Sequence, residues 1–240
     1  MASAKQSKPK RFIAYASKAR RSLGGEPTDA RCARYGSSSA KDPAGLSLDA
    51  QSTASMTGNL ILFNKPYGVL SQFTGEADNL SRFAIPPDYY VAGRLDKDSE
   101  GLLLLTNSGA LQAQISHPRF KMRKHYWVQI EGEISESSLV QFRQGIALKD
   151  GKTRPAQAKP IQPNVPERIP PIRQRQSIPD QWIEIVIREG KNRQVRRMTA
   201  ALGHPTLRLI RVRIGEWTID GLTPGQWRSI QVNLPRERSR

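Results

Sequence analysis

The sequence predicts an α+β fold with more strands than helices. Three observations carry this. Apolar stretches are short or alternate with polar residues, as in Leu60-Ile-Leu-Phe63, Leu102-Leu-Leu-Leu105 and Ile183, Ile185, Ile187. Turn residues follow them closely, as in Asn64-Lys-Pro-Tyr-Gly68 and Thr106-Asn-Ser-Gly109. Only three segments carry helical spacing or helix boundary signals.

Taken in order, Leu60–Phe63 reads as a strand running into the Pro/Gly turn at 64–68. Pro86-Pro87 closes a polar connection, and Tyr89-Tyr-Val91 leads into Ala92-Gly-Arg-Leu-Asp-Lys-Asp-Ser-Glu-Gly101, a charged loop set directly before the leucine strand. Gly109 to Ile115 reads as a short helix ended near His117-Pro118. In Tyr126-Trp-Val-Gln-Ile130 the alternation is that of a strand. Ser135 starts a helix on which Leu139, Phe142 and Ile146 recur at helical spacing. Residues 155–179, rich in Pro, Gln and Arg, read as an exposed insertion within the domain. A further strand over 183–187 and a turn at Glu189-Gly-Lys-Asn192 precede a helix over Arg193–Leu202, stopped by Gly203 and Pro205. The last long strand sets Ile210, Val212 and Ile214 on one face and Arg211 and Arg213 on the other.

The chain of 240 residues has a formal charge of +17 and a pI near 10.5, so a polyanion is the first partner to consider. No apolar stretch reaches spanning length, which leaves nucleic acid ahead of a membrane. Cys32 is the single cysteine, so an intrachain disulfide framework is excluded, and no CxxC pair suggests structural zinc. Residues 1–57 carry ten Lys/Arg, four Asp/Glu and ten Ser with no sustained apolar period, and read as a disordered basic extension. A bacterial extension, hence a cytoplasmic protein, is preferred over an organellar transit segment because Lys outnumbers Arg early and no amphipathic helix emerges. Residues 58–240 then form one catalytic domain.

Two strings carry chemistry. The first is the loop with Asp96, delivered to the rim of a rigid sheet between Arg94 and Lys97; alone it reads as a solvated acidic turn. The second is Lys191-Asn-Arg-Gln-Val-Arg-Arg197, whose arginines can fork onto a carboxylate or phosphate. Beside Lys121, Arg123 and Lys124, Tyr126 suits stacking on an extruded base, or plain core. Metal binding by Asp96, Asp98 and Glu100 is opposed by the neighbouring cations, and no phosphate-cradling glycine motif is present, so neither a metal nor a cofactor is expected. A non-catalytic ribosome-associated RNA-binding protein and a metal-dependent nuclease are the rival readings.

Four strings in order give the chain a resemblance to a known family: Leu62-Phe-Asn-Lys-Pro-Tyr-Gly68, the segment Gly93–Thr106, Lys124-His-Tyr126 and Glu189-Gly-Lys-Asn-Arg-Gln-Val-Arg-Arg-Met198, with Leu222-Thr-Pro-Gly-Gln-Trp-Arg228 behind them. It resembles the pseudouridine synthases, in the branch that holds enzyme A of the small ribosomal subunit and enzymes B, E and F of the large one. The resemblance implies a mixed, mainly antiparallel sheet with flanking helices and a central RNA-binding cleft. Many members begin with an S4-type module, of which residues 1–57 show no pattern. Members similar in lacking it, those of the E type, imply a monomer acting on a uridine of 23S rRNA.

What the resemblance implies for the site follows residue by residue. Asp96 is the nucleophilic carboxylate, attacking sugar C1′ or base C6 or assisting a glycal route. Arg196 is its paired cation, and Tyr126 stacks on the uracil. Arg94 fills the gap left by the flipped nucleotide. Lys65, Lys124, Lys191, Arg193 and Arg197 contact RNA, while Asp98 and Glu100 remain supporting or solvated charges.

Overall fold

The computed structural model describes residues 57–117, 120, 122–173 and 177–234. The reading of residues 1–57 as a disordered extension without an S4 module lies outside the described residues except at Thr57, which opens β1. From Thr57 the chain forms β1 (Thr57–Lys65), a 3-10 turn (Leu80–Phe83), β2 (Tyr90–Ala92), β3 (Glu100–Thr106) and α1 (Gly109–Ser116). It continues through β4 (Lys124–Glu131), α2 (Glu136–Gln144), the hairpin β5 (Ala147–Leu148) and β6 (Gly151–Lys152), and β7 (Gln157–Ile161). Then come β8 (Asp180–Ile187), α3 (Gln194–Ala201), β9 (Thr206–Ile214), β10 (Trp217–Thr218) and β11 (Trp227–Asn233).

The helix starts follow local chemistry. Ser108 accepts from the Leu111 amide at the head of α1, and Ser135 accepts from the Ser138 amide at the head of α2, each satisfying a donor the helix leaves open. α3 begins differently, on Arg193 in the left-handed region (φ 46°) with no side-chain cap. Its preceding turn is closed instead by Gln194, whose Oε1 accepts from the Lys191 amide.

Nine strands make one sheet, in the order β11-β1-β3-β9-β4-β8-β7, with β2 on β3 and β10 on β9. Its ladders are antiparallel except β3 against β9, which run parallel and pair only at Glu100↔Ile210 and Gly101↔Arg211. That short junction divides the sheet into two halves, each with its own core. On one side, β1 and β3 are buried on both faces: Leu60, Leu62, Leu102 and Leu104 pack with Leu111 and Ile115 of α1, while Ile61, Phe63, Leu103 and Leu105 pack with Val69, Leu80 and Leu95. Burial on both faces is why β3 reads as a continuous leucine run rather than an alternation. On the other side, β4, β8 and β9 bury Val128, Ile183, Ile185 and Leu209 against Leu139 and Phe142 of α2 and Val195 and Met198 of α3.

Three expectations change here. Residues 157–161, within the stretch read as an exposed insertion, are strand β7 paired to β8, so the irregular part begins after Ile161. β11, which covers β1, was not anticipated; Trp227, Ile230 and Val232 are only partly buried, so its alternation is weak. Arg213 is exposed as expected, but Arg211 is 2% exposed. No helix among the described residues is long and apolar enough to cross a membrane.

Candidate active site

The charged loop at 93–99 lies directly before β3, at the junction of the two half-sheets. Leu95 points into the Ile61/Phe63/Leu103 core and anchors it. Around that anchor, six consecutive backbone carbonyls each accept a hydrogen bond. Arg211 Nη2 donates to Gly93 O (2.9 Å) and Nη1 to Arg94 O (3.5 Å), and Ser71 Oγ donates to Leu95 O (2.7 Å). The Ser99 amide donates to Asp96 O (3.1 Å), the Gly68 amide to Lys97 O (2.9 Å), and Arg196 Nη2 to Asp98 O (2.6 Å). β9, α3 and the turn after β1 thus hold a loop whose own sequence has no regular structure. Satisfying six carbonyls in a row restrains a charged loop that would otherwise be free to move.

The Asp96 side chain remains about one-third exposed (36%) in a cleft of about 300 Å³ lined also by Arg94, Lys124, Tyr126, Lys191 and Arg211. Tyr126, 7% exposed, is part of the β4/β8/β9 core and of the cleft wall at once. A register shift between His125 and Tyr126 sets Tyr126 across from Arg211 on β9. Tyr126 is thus core, and the same side chain lines the cleft.

The arginines of α3 divide their partners differently from the expected Asp96–Arg196 pair. Arg193 forks onto Asp98 (3.0 and 2.6 Å) and reaches Asp96 at 3.6 Å. Arg196 Nε lies 3.4 Å from an Asp98 carboxylate oxygen, an ion pair without an aligned hydrogen bond. Burial alone would raise the Asp98 carboxyl, but the Arg193 fork and the Arg196 charge outweigh it and hold Asp98 below the usual carboxylate range. Burial pushes Arg196 below the usual arginine range, with Asp98 opposing. The physical reason for the changed pairing is the turn closed by Ser99 N to Asp96 O, across which both arginines meet Asp98 first. Arg197 points elsewhere, forking onto Asp150 in the β5–β6 turn (2.8 and 3.1 Å).

Other expected residues are placed as follows. Lys65 is wholly buried and donates to Pro66 O (2.9 Å) and Val69 O (2.8 Å), so it is no surface contact for phosphate. Burial lowers its pKa to about 8, with Glu100 opposing and Arg211 reinforcing. Lys124, half-buried in the cleft wall, is lowered by burial and then by Arg211. Lys191 reaches the Asp150 and Gly151 carbonyls (3.4 and 3.5 Å), and exposed Arg94 donates to Gln72 Oε1 (3.2 Å). Glu100 is not solvated: it forms a two-bond pair with Arg208 (2.9 and 2.8 Å), both under 10% exposed. With Asp98 held by Arg193 and Arg196, and Glu100 by Arg208, the acids of the loop are neutralised separately. Among the described residues no group of three or more His, Cys, Asp or Glu could hold a metal ion. Arg211 and Gly101 went unread as site residues, since a lone arginine in an alternating strand signals solvent.

An acid in a cleft lined also by a tyrosine and by several arginines and lysines is a constellation suited to acting on an RNA base. The family model for RNA pseudouridylate synthase matches residues 59–201, and the chain belongs to that family, whose enzymes isomerise uridine to pseudouridine in RNA. It is similar to the ribosomal large subunit pseudouridine synthase E of Xanthomonas axonopodis pv. citri (strain 306), 55% identical over 172 residues, covering 69% of this chain and 90% of the relative. The protein of the same name from Vibrio vulnificus (strain CMCP6) is 53% identical over 176 residues, covering 72% and 75%. A solved structure described as a crystal structure of pseudouridylate synthase superposes with a TM-score of 0.62 at 28% identity, covering 72% of this chain and 70% of that one.

Proposed function

We propose that the protein isomerises a specific uridine of 23S ribosomal RNA, with Asp96 as nucleophile, in the bacterial cytoplasm. The observation that carries the reading is the convergence of Asp96, Tyr126 and the first turn of α3 on one cleft. The names of the similar enzymes, which specify the large ribosomal subunit, support the choice of RNA. In the reaction the N1–C1′ bond breaks, the uracil turns and a C5–C1′ bond forms; C5 loses its proton and N1 gains one, so no group is added. Asp96 drives this exchange while Tyr126 stacks on the base beside C5. Arg196 acts through the turn it grips at Asp98, and Arg94 occupies the space the flipped nucleotide vacates. Lys124, Lys191, Arg193 and Arg197 meet phosphates. Asp96→Asn lowers turnover about a thousandfold or more while RNA affinity stays near that of the wild type. The check is tritium release from uracil C5 on unmodified rRNA, with binding measured in parallel; retained turnover removes Asp96 from its role.

A further inference from the structure

We propose that Arg211 is a positioning residue of the isomerisation: its buried guanidinium sets the backbone that presents Asp96 and supplies a fixed positive charge shared by Asp96 and Tyr126. The inference rests on the reading of Asp96 as nucleophile. Arg211 donates through Nε to Leu102 O (2.8 Å) as well as to Gly93 and Arg94, so one side chain joins the start of the loop to the strand that follows it. Among the described residues none of these bonds goes to a carboxylate. A cation 2% exposed and held by neutral carbonyls alone is costly to bury, and a purely structural link could be made without charge. Arg211 lines the same cleft as Asp96 and Tyr126, with Tyr126 its cross-strand partner on β4; burial holds it below the usual arginine range, with Tyr126 and Asp96 opposing.

The other charges facing Asp96 come from elements that have further business. Arg193 and Arg196 of the α3 start are engaged by Asp98, a neighbour on the same loop, and Arg193 is 44% exposed where an RNA phosphate competes for it. Lys65 at the end of β1 and Lys124 on β4 are both held below the usual lysine range. Of this set only Lys65 and Arg211 are buried out of reach of phosphate, and the Lys65 ammonium is lowered to about 8, so Arg211 is the cation whose charge stays when RNA binds and water leaves. β9 can bring it there because Gly101 has no side chain: a Cβ at that position would stand 2.3 Å from Arg211 O.

The test compares Arg211→Lys, which keeps the charge and loses the fork, with Arg211→Gln, which loses the charge. On unmodified rRNA both lower kcat with KM within about threefold. The expected losses are about tenfold for Lys and about a hundredfold for Gln. Only the Gln variant moves the acid limb of the kcat profile upward, by about one pH unit. A folded Lys variant with wild-type kcat overturns the proposal, and so does a Gln variant that melts earlier but keeps the wild-type kcat and acid limb. Should the Gln variant not fold, the Lys variant decides: a lowered kcat with an unmoved acid limb supports the assignment. Asp96→Asn is assayed alongside. Turnover there removes the nucleophile reading itself, whereas a dead Asp96→Asn beside an unimpaired Arg211→Lys sinks only the role of Arg211.

Discussion

Lys65 shows how far a residue's place can depart from its type. Its ammonium sits at the end of β1 with two backbone carbonyls as partners and a pKa lowered to about 8. Between that value and the ordinary 10.5 the unfolded chain binds a proton that the folded one has released, so stability rises with pH across the window. The rise attributable to this group is on the order of 3 kcal/mol. Urea unfolding at a series of pH values is expected to show it, and Lys65→Met is expected to lack it, the contribution of Lys124 being common to both proteins. A variant whose stability climbs as steeply as the wild type's locates the released proton elsewhere. At this scale the sequence was legible where a local string names the chemistry. Asp96, Tyr126 and Arg193 lie in such strings, and the structure brings them to one cleft. It was illegible where partners are chosen in three dimensions, as with Arg193, not Arg196, being the arginine that reaches Asp96. Arg211 was hidden for the same reason, since what buries it is a glycine on another strand.

Among elements, the parallel junction of β3 and β9 matters most because both flanks of the cleft hang on it. Two side-by-side features protect it: the close approach at Gly101, whose φ of +99° no residue with a side chain adopts comfortably, and the buried Glu100–Arg208 pair next to it. Gly101→Ala must push β9 away and is expected to cost about 3 kcal/mol. Glu100→Gln leaves Arg208 buried without its counter-charge and is expected to cost about 3 kcal/mol or more. Thermal melting of each variant checks both figures, and an unchanged Tm for either shows that the junction can relax. Arg208 also donates to Pro166 O (2.7 Å), so loosening the pair is expected to free the segment after β7 as well. Strand and helix types were legible from period and caps. β7 was missed because Pro160 and its Pro-rich neighbours mask a five-residue strand at the sheet edge, where proline is tolerated.

At the scale of the whole molecule, a formal charge of +17 supplies attraction to RNA that carries no sequence information. Ten of the Lys/Arg residues lie before Gly58 in the sequence. Removing residues 1–56 is expected to make RNA affinity less sensitive to salt without moving the modified uridine, as measured by binding titrations at several salt concentrations and by chemical mapping of the product. A changed target site in the truncated enzyme shows instead that the extension reads RNA. The pairing of β1 with β11 has a consequence for how the molecule is made. β1 leaves the ribosome early and β11 last among the described strands, so during synthesis Leu60–Phe63 waits with one side unpaired. A nascent chain stalled before Trp227 therefore offers an apolar strand edge to other chains, a state that favours aggregation. Contacts between segments so distant in sequence also form slowly. The enzyme's yield in the cell is thus tied to the completion of its final strand, however sound the catalytic loop behind it.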